Sequence, residues 1–157
     1  MNSLAPNEQI LVRILLEKFD QIFETVQDIP EDLVNGCLPM HGSNSPVQIL
    51  LHCCGMMRRW SSTVNLGVEI PRDRDAEFST TMDKSDALKV ASEARTAFVA
   101  DLASTQLQQA PAVLPTGRKI EYWMATCEGV LLHVYEEFCQ HLGHLEITRD
   151  YLKLTTD

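Results

Sequence analysis

Three histidines and one glutamate recur at helical spacing near the end of the chain, at His133, Glu137, His141 and His144. An α-helix turns by about 100° per residue, so these side chains project at roughly 0°, 40°, 80° and 20° and share one narrow stripe. Apolar residues flank the stripe at Val134, Phe138, Leu142 and Leu145. These flanks predict that the stripe lies at or near a protein interior.

The stripe has the chemistry of a metal site. Glu137 and His141 are four residues apart, which places a carboxylate and an imidazole on adjacent turns, near enough to chelate one ion. A buried carboxylate also needs a counter-charge or a metal. Two ligands rarely hold an ion tightly, and the best third ligand on another helical segment is His52. Any one of these histidines alone is more typical of a hydrogen-bonded core residue, but the combination predicts a divalent metal bound by His52, Glu137 and His141.

The other histidines and the cysteines are given supporting or structural roles. His133 and His144 are interpreted as residues that orient the ligands or meet the substrate, and either can replace one ligand. His41 lies in a glycine-containing loop and is predicted to be exposed. The cysteines predicted to be small core residues are Cys53, Cys54 and Cys139.

Four amphipathic helical patterns position these residues. The first covers about 7–27, and the second starts at Ser45, a good N-cap, with Pro46 in the first helical position. The second continues to near Asn65, and Gly67 is a plausible stop. The third covers about 83–104 and the fourth about 126–152. Four long helices with two long connections predict an all-α four-helix bundle, a single domain over 1–157.

The connection over 66–82 is polar and longer than most loops in compact domains. It contains Arg72, Asp73, Arg74 and Asp75, and Phe78 is interpreted as an aromatic anchor. If this loop folds over the metal, Arg72 and Arg74 can bind anionic groups of a cofactor or substrate. The alternative is a solvated crossover in which the arginines pair with the two aspartates.

Composition excludes several classes of partner. The chain has 22 acidic and 13 basic residues and a formal charge of −9, which argues against nucleic acid or an anionic membrane surface. No segment reaches the roughly 20 apolar residues of a membrane span, and the N-terminal residues lack the basic and apolar regions of a secretory signal. Five cysteines without a Cys-x-x-Cys pair suit a reducing cytosol. We therefore expect a soluble cytoplasmic protein.

Three segments of the chain, 44–60, 67–78 and 133–150, resemble the DinB-like superfamily. The resemblance is to the branch of mycothiol-dependent transferases, which includes the N-terminal domain of mycothiol-dependent maleylpyruvate isomerase, and the His-x-Gly-His element at 141–144 is fairly specific. It implies an up-down-down-up bundle with a metal, usually zinc and sometimes nickel, between the second and fourth helices. His52, Glu137 and His141 would occupy the three ligand positions.

The resemblance implies a metal-dependent S-transferase that joins a low-molecular-weight thiol of the mycothiol type to an electrophilic small molecule. Three protein ligands leave one coordination position open, where a thiol would lose its proton and become a nucleophile. His133 as a fourth ligand would close the site. The alternatives are a metal-dependent hydrolase that uses a metal-bound water and a non-catalytic metal-binding protein. Bundles of this kind often dimerise through an exposed apolar face, so a homodimer is one expected state.

Overall fold

The computed structural model describes residues 6–156 of the chain, with side chains from Glu8 onward. Residues 1–5, on which the expected lack of a secretory signal rests, and residue 157 lie outside this range. Within residues 6–156 the protein is all-α and contains no strand. In the same range, no helix combines the length and the apolar character needed to cross a membrane.

The described chain contains five α-helices. They are α1 (Pro6–Gln27), α2 (Pro46–Arg58), α3 (Arg74–Glu77), α4 (Lys84–Ser104) and α5 (Cys127–Leu154). A π-helical segment, Arg59–Leu66, continues α2 directly, and a 3-10 turn, Tyr122–Ala125, precedes α5. When the π-helical segment is counted with α2, the four predicted helices are confirmed to within two residues at their ends.

Local side-chain chemistry fixes the ends of these helices. Ser45 Oγ accepts a hydrogen bond from the backbone N–H of Gln48 at 3.2 Å, and the Gln48 side chain accepts one from the backbone N–H of Ser45 at 3.0 Å. This capping box satisfies two donors that the first turn of α2 leaves free. Gly67, at a φ of 71°, ends the π-helical segment in the left-handed conformation that glycine adopts without strain. Thr126 caps α5 by accepting from Gly129 N–H at 3.1 Å.

The four long helices surround a common core. Helix α1 packs against α4 and α5, and α2 packs against the same two helices. The ring of Phe138 lies 5.7 Å from that of Phe19 and 6.4 Å from that of Phe98, which joins α5 to α1 and α4. All four apolar flanks of the polar stripe are buried, as predicted, at Val134, Phe138, Leu142 and Leu145. The up-down-down-up order of the helices stays a prediction.

The cysteines and His41 test the sequence interpretation further. Cys53 and Cys54 are buried in α2, and His41 is exposed, all as predicted. The prediction for Cys139 is wrong, because it lies one residue beyond the buried Phe138 and is turned toward solvent. Burial raises the pKa of Cys53 well above that of a free thiol and that of Cys54 to about 12. Both thiols are therefore protonated at neutral pH and poor nucleophiles.

The connections contain regular structure where the sequence pattern predicts irregular chain. Helix α3 interrupts the connection over 66–82, and Asp73 caps it by accepting from Ala76 N–H at 3.0 Å. A single turn of this length leaves no apolar period in the sequence, which explains why it was not predicted. Asp73 is thus occupied at the helix start, which leaves the neighbouring arginines to other partners.

Candidate metal and substrate site

The three predicted ligands meet between α2 and α5. One ligand atom from each of His52, Glu137 and His141 lies within 4.8 Å of the other two. His141 Nε2 is 3.4 Å from Glu137 Oε2, and the His52 and His141 rings are 4.6 Å apart in an edge-to-face arrangement. His52 is only 5% exposed, while Glu137 and His141 are half-buried. The structure therefore brings His52 to Glu137 and His141, which lie 85 and 89 residues further along the sequence.

The charge state of Glu137 suits a cation. Its hydrogen bond with His141 lowers the pKa of Glu137, against the opposing effect of partial burial, and the nearby His133 and His52 lower it further. The carboxylate is therefore ionised at neutral pH. Two imidazoles and a carboxylate are a donor set that zinc accepts, and imidazole also suits nickel. Zinc holds such ligands at about 2.0–2.2 Å, so small side-chain movements would bring all three to one ion.

A buried ion pair lies behind His52. Arg72 Nε donates to Glu77 Oε1 at 2.7 Å, and Arg72 Nη2 donates to Glu77 Oε2 at 2.9 Å. His52 Nδ1 lies 3.4 Å from Arg72 Nη2 and 3.6 Å from Glu77 Oε2. Because Nδ1 faces this pair, Nε2 is the His52 nitrogen left to face an ion. Outer groups of this kind fix the ring orientation of metal-binding histidines.

The loop that carries the ion pair is held close to α2. A Cβ added at Gly55 would lie 2.7 Å from Glu77 Oε1 and 2.9 Å from Arg72 Nε, so only glycine admits the pair in this position. The ring of Phe78 lies 4.6 Å from that of His52, which confirms its role as an aromatic anchor. Among the described residues, neither arginine of the loop pairs with Asp73 or Asp75.

Of the two additional histidines, one lies beside the predicted ligands. His133 stacks on Trp123 with ring centroids 3.9 Å apart and meets Trp60 edge-on at 5.5 Å. Its Nε2 lies 3.7 Å from Glu137 Oε1, and its Nδ1 lies 3.3 Å from Glu136 Oε2. His133 is therefore a neighbour of the three ligands and lies outside the group whose ligand atoms converge.

His144 lies elsewhere. It lines a separate cavity with Leu38, Met40 and His41 of the connection between α1 and α2. Partial burial lowers the pKa of His144, and the neighbouring His141 lowers it further. It does not line the cleft next to the three ligands, and its predicted helper role stays a prediction.

A cleft of about 330 Å³ opens beside the three ligands. His52, Met56, Trp60, His133 and Glu137 line it together with four arginines, Arg59, Arg72, Arg74 and Arg118. The positions on α2 and its extension follow helical spacing, so this part of the wall can be found from the sequence. Arg118 lies in an irregular connection without any periodic signal and could not be found in this way.

Comparison with known families gives one match. The family model described as Mycothiol-S-transferase matches residues 10–153. No curated protein and no solved structure matches the chain. The matched range contains the three predicted ligands, the Arg72–Glu77 pair and the whole cleft, and it confirms the resemblance to the branch of mycothiol-dependent transferases. The chain belongs to the mycothiol-S-transferase family.

Proposed function

We propose that this protein is a metal-dependent S-transferase that joins a thiol of the mycothiol type to an electrophilic small molecule. Family membership supports the thiol transfer. The single observation that supports metal dependence is the convergence of His52, Glu137 and His141 within 4.8 Å beside an open cleft. Zinc is the first candidate and nickel the second, because both accept imidazole ligands.

The chain's own residues have distinct tasks in this proposal. A divalent ion held by the three ligands would lower the pKa of a thiol and so supply a thiolate near neutral pH. The Arg72–Glu77 pair fixes the orientation of His52. We assign His133 the proton that the thiol loses: its Nδ1 lies 3.3 Å from Glu136 Oε2, and its Nε2, 3.7 Å from Glu137 Oε1, is the nitrogen that would accept the proton.

The reaction needs no reactant other than the thiol and the electrophile. The thiol gives up its proton to the protein, and the sulfur uses an electron pair to form a bond to the electrophilic carbon. A leaving group departs with the pair from the bond that breaks, or, in an addition, the product takes the proton back. The indole ring of Trp60 and the side chain of Met56 offer an apolar surface to the electrophile.

Metal content tests the first part of the proposal. We expect about one divalent metal per chain in untagged protein, and we expect His52→Ala and His141→Ala each to remove it, since two ligands rarely retain an ion. His41→Ala is the matched control, because His41 is an exposed loop histidine outside the site. If His52→Ala or His141→Ala keeps its full metal content by elemental analysis, the ligands are wrongly assigned.

Cobalt-substituted protein tests thiol binding directly. Adding mycothiol or 2-mercaptoethanol should produce an intense sulfur-to-metal charge-transfer band, and Glu137→Ala should weaken that band. A spectrum that no thiol alters at millimolar concentration would overturn the transferase proposal. Substrate hydrolysis without any thiol would then favour a hydrolase, and a closed four-ligand site would favour a non-catalytic metal-binding protein.

A further inference from the structure

Three of the four arginines in the cleft have no acidic partner in the part of the chain that the structure describes. Arg59 begins the π-helical segment, Arg74 begins α3, and Arg118 lies in the connection before α5. Within residues 8–156, none of these three forms an ion pair or a hydrogen bond with a carboxylate, whereas Arg72 is bound by Glu77. Three separate elements therefore bring unpaired guanidinium groups to one opening.

The arginines outside the cleft behave differently. Each of them pairs with a carboxylate: Arg13 with Glu17, Arg58 with Asp101, Arg95 with Asp20, and Arg149 with Asp150. Acidic residues are in surplus, since the chain has a formal charge of −9. Unpaired arginines gathered at one place in so acidic a chain indicate that their charge serves a ligand, because surface arginines elsewhere in the same molecule find partners.

Aromatic rings hold the three arginines without neutralising them. The guanidinium carbon of Arg118 lies 5.3 Å from the centroid of Trp60 and 5.8 Å from that of Trp123. Arg59 lies 6.0 Å from the Trp60 centroid, and Arg74 lies 5.1 Å from the Phe78 centroid. A cation above a ring face is positioned by the ring, but its N–H donors remain available. The wall is thus arranged to orient donors and keep their positive charge.

We propose that the cleft binds an oxyanion group, a carboxylate or a phosphate, on the electrophilic substrate through Arg59, Arg74 and Arg118. Planar guanidinium donors match both groups in geometry and charge. Glu137 is the acidic residue of the cleft wall. Its carboxylate faces His141 and belongs to the group of three predicted ligands, so it does not neutralise the arginines. The inference rests on the proposed function in one respect, since it assigns the anion to the electrophile rather than to the thiol.

Binding can be measured without any reaction. The chain has two tryptophans, Trp60 and Trp123, and both carry a cleft arginine, so their indole N–H signals in NMR report on this site. The probe is 4-chloro-3-nitrobenzoate, with its uncharged amide as the matched ligand, each added without thiol to the metal-loaded protein. We expect the benzoate to shift both signals at lower concentration than the amide does, and added salt or inorganic phosphate to weaken its binding.

Variants distinguish binding by the cleft arginines from a general effect of the protein's positive charges. Arg118→Gln should weaken benzoate binding about 10- to 100-fold, the loss typical of one hydrogen bond to a charged group, and leave the affinity for the amide unchanged. Arg118→Lys keeps the charge and should recover part of the affinity. Lys89→Gln removes the same charge from an exposed position on α4 outside the cleft, and it should leave benzoate binding unchanged.

Turnover assigns the anion to the electrophile. With the uncharged 2-mercaptoethanol as thiol, the benzoate should react faster than the amide after each rate is divided by its uncatalysed rate, and Arg118→Gln should reduce this preference. Equal binding of benzoate and amide, or an Arg118→Gln variant that prefers the benzoate as strongly as the unmodified protein does, overturns the inference while leaving thiol transfer intact. If neither compound reacts but benzoate binding still depends on Arg118, the anion site stands and the transferase proposal fails.

Discussion

Glu77 is a buried carboxylate in a connection whose other residues are half-buried or exposed, and its burial is explained by what it touches. It is 8% exposed, accepts hydrogen bonds from Nε and Nη2 of Arg72, and lies 3.6 Å from His52 Nδ1. A buried charge is tolerated when it is paired and hydrogen-bonded. The pair therefore stabilises one orientation of the imidazole and one position of the loop together.

Replacement of this carboxylate should weaken the metal site without removing a ligand. In Glu77→Gln, Arg72 loses its counter-charge and the His52 ring loses its fixed neighbour. We expect metal affinity to fall by about 10- to 100-fold, as is usual when an outer partner of a metal-binding histidine is lost. A competition titration with a chromophoric chelator measures this affinity.

The control for this variant removes a comparable ion pair elsewhere. Asp20→Asn breaks the pair of Asp20 with Arg95, which joins α1 to α4 away from the cleft. It should leave metal affinity unchanged. Equal metal affinity in Glu77→Gln and the unmodified protein would show that the Arg72–Glu77 pair has no influence on the site.

Single residues differ in how far the sequence could predict them. His52, Glu137 and His141 could be predicted as a group, because they are metal-ligating side chains on helical stretches with apolar neighbours. Glu77 could not, because it is one of several charged residues in a polar connection and nothing in the sequence marks it as buried. Arg118 could not be predicted either, because its position depends on contacts with the rings of Trp60 and Trp123, which come from different parts of the chain.

At the scale of elements, the approach of the 66–82 connection to α2 depends on one position. Gly55 leaves the space that the carboxylate of Glu77 and the Nε atom of Arg72 occupy. Gly55→Ala would place a methyl group 2.7–2.9 Å from these atoms, closer than a real Cβ contact. Because the ion pair also faces His52, displacement of the loop should disturb the proposed metal site as well as the cleft.

We expect Gly55→Ala to lower both the melting temperature and the metal affinity, although alanine is the better helix former. Gly143→Ala is the matched control: Gly143 is also helical, and an added Cβ there meets nothing within 4 Å. That variant should be as stable as the unmodified protein or about 0.5–1 kcal/mol more stable. If thermal melts show the same change for both glycines, the close approach of the loop does not constrain the fold.

The helix boundaries could be predicted, but the form of the chain between them could not. Ser45, Pro46, Gly67 and Thr126 act through local rules of capping and backbone conformation, so their effect can be read from a few neighbouring residues. The π-helical segment after α2 differs from an α-helix in its hydrogen-bond register, which leaves no separate pattern in the sequence. Such segments are frequent at functional sites, and this one carries Arg59 and Trp60 into the cleft.

At the scale of the whole molecule, the net charge is negative, whereas the cleft is lined by positive side chains. The chain has a formal charge of −9, yet four arginines line one opening. The net charge can be read from composition, and the absence of a nucleic-acid partner that it favours stays a prediction. The net charge gives no sign of this local positive region. Composition sums over the surface, whereas a ligand responds to the charges nearest to it. The expected homodimer is a property of the same scale and stays a prediction.

The metal site should also contribute to the stability of the whole fold. His52 comes from α2, whereas Glu137 and His141 come from α5, so an ion bound by all three joins two helices only in the folded protein. A ligand present at about 100 times its dissociation constant stabilises the native state by about 2.7 kcal/mol. At about 2–4 °C per kcal/mol for a chain of this size, a chelator should lower the melting temperature by about 5–10 °C.

Differential scanning calorimetry of metal-loaded and chelator-treated protein measures this shift, and adding zinc back should reverse it. His52→Ala, which lacks one ligand, is the control and should melt at the same temperature with and without chelator. An unchanged melting temperature in the unmodified protein, with metal loss confirmed by elemental analysis, would show that the ion does not couple α2 to α5. The core around Phe19, Phe98 and Phe138 would then hold the helices together without help from the site.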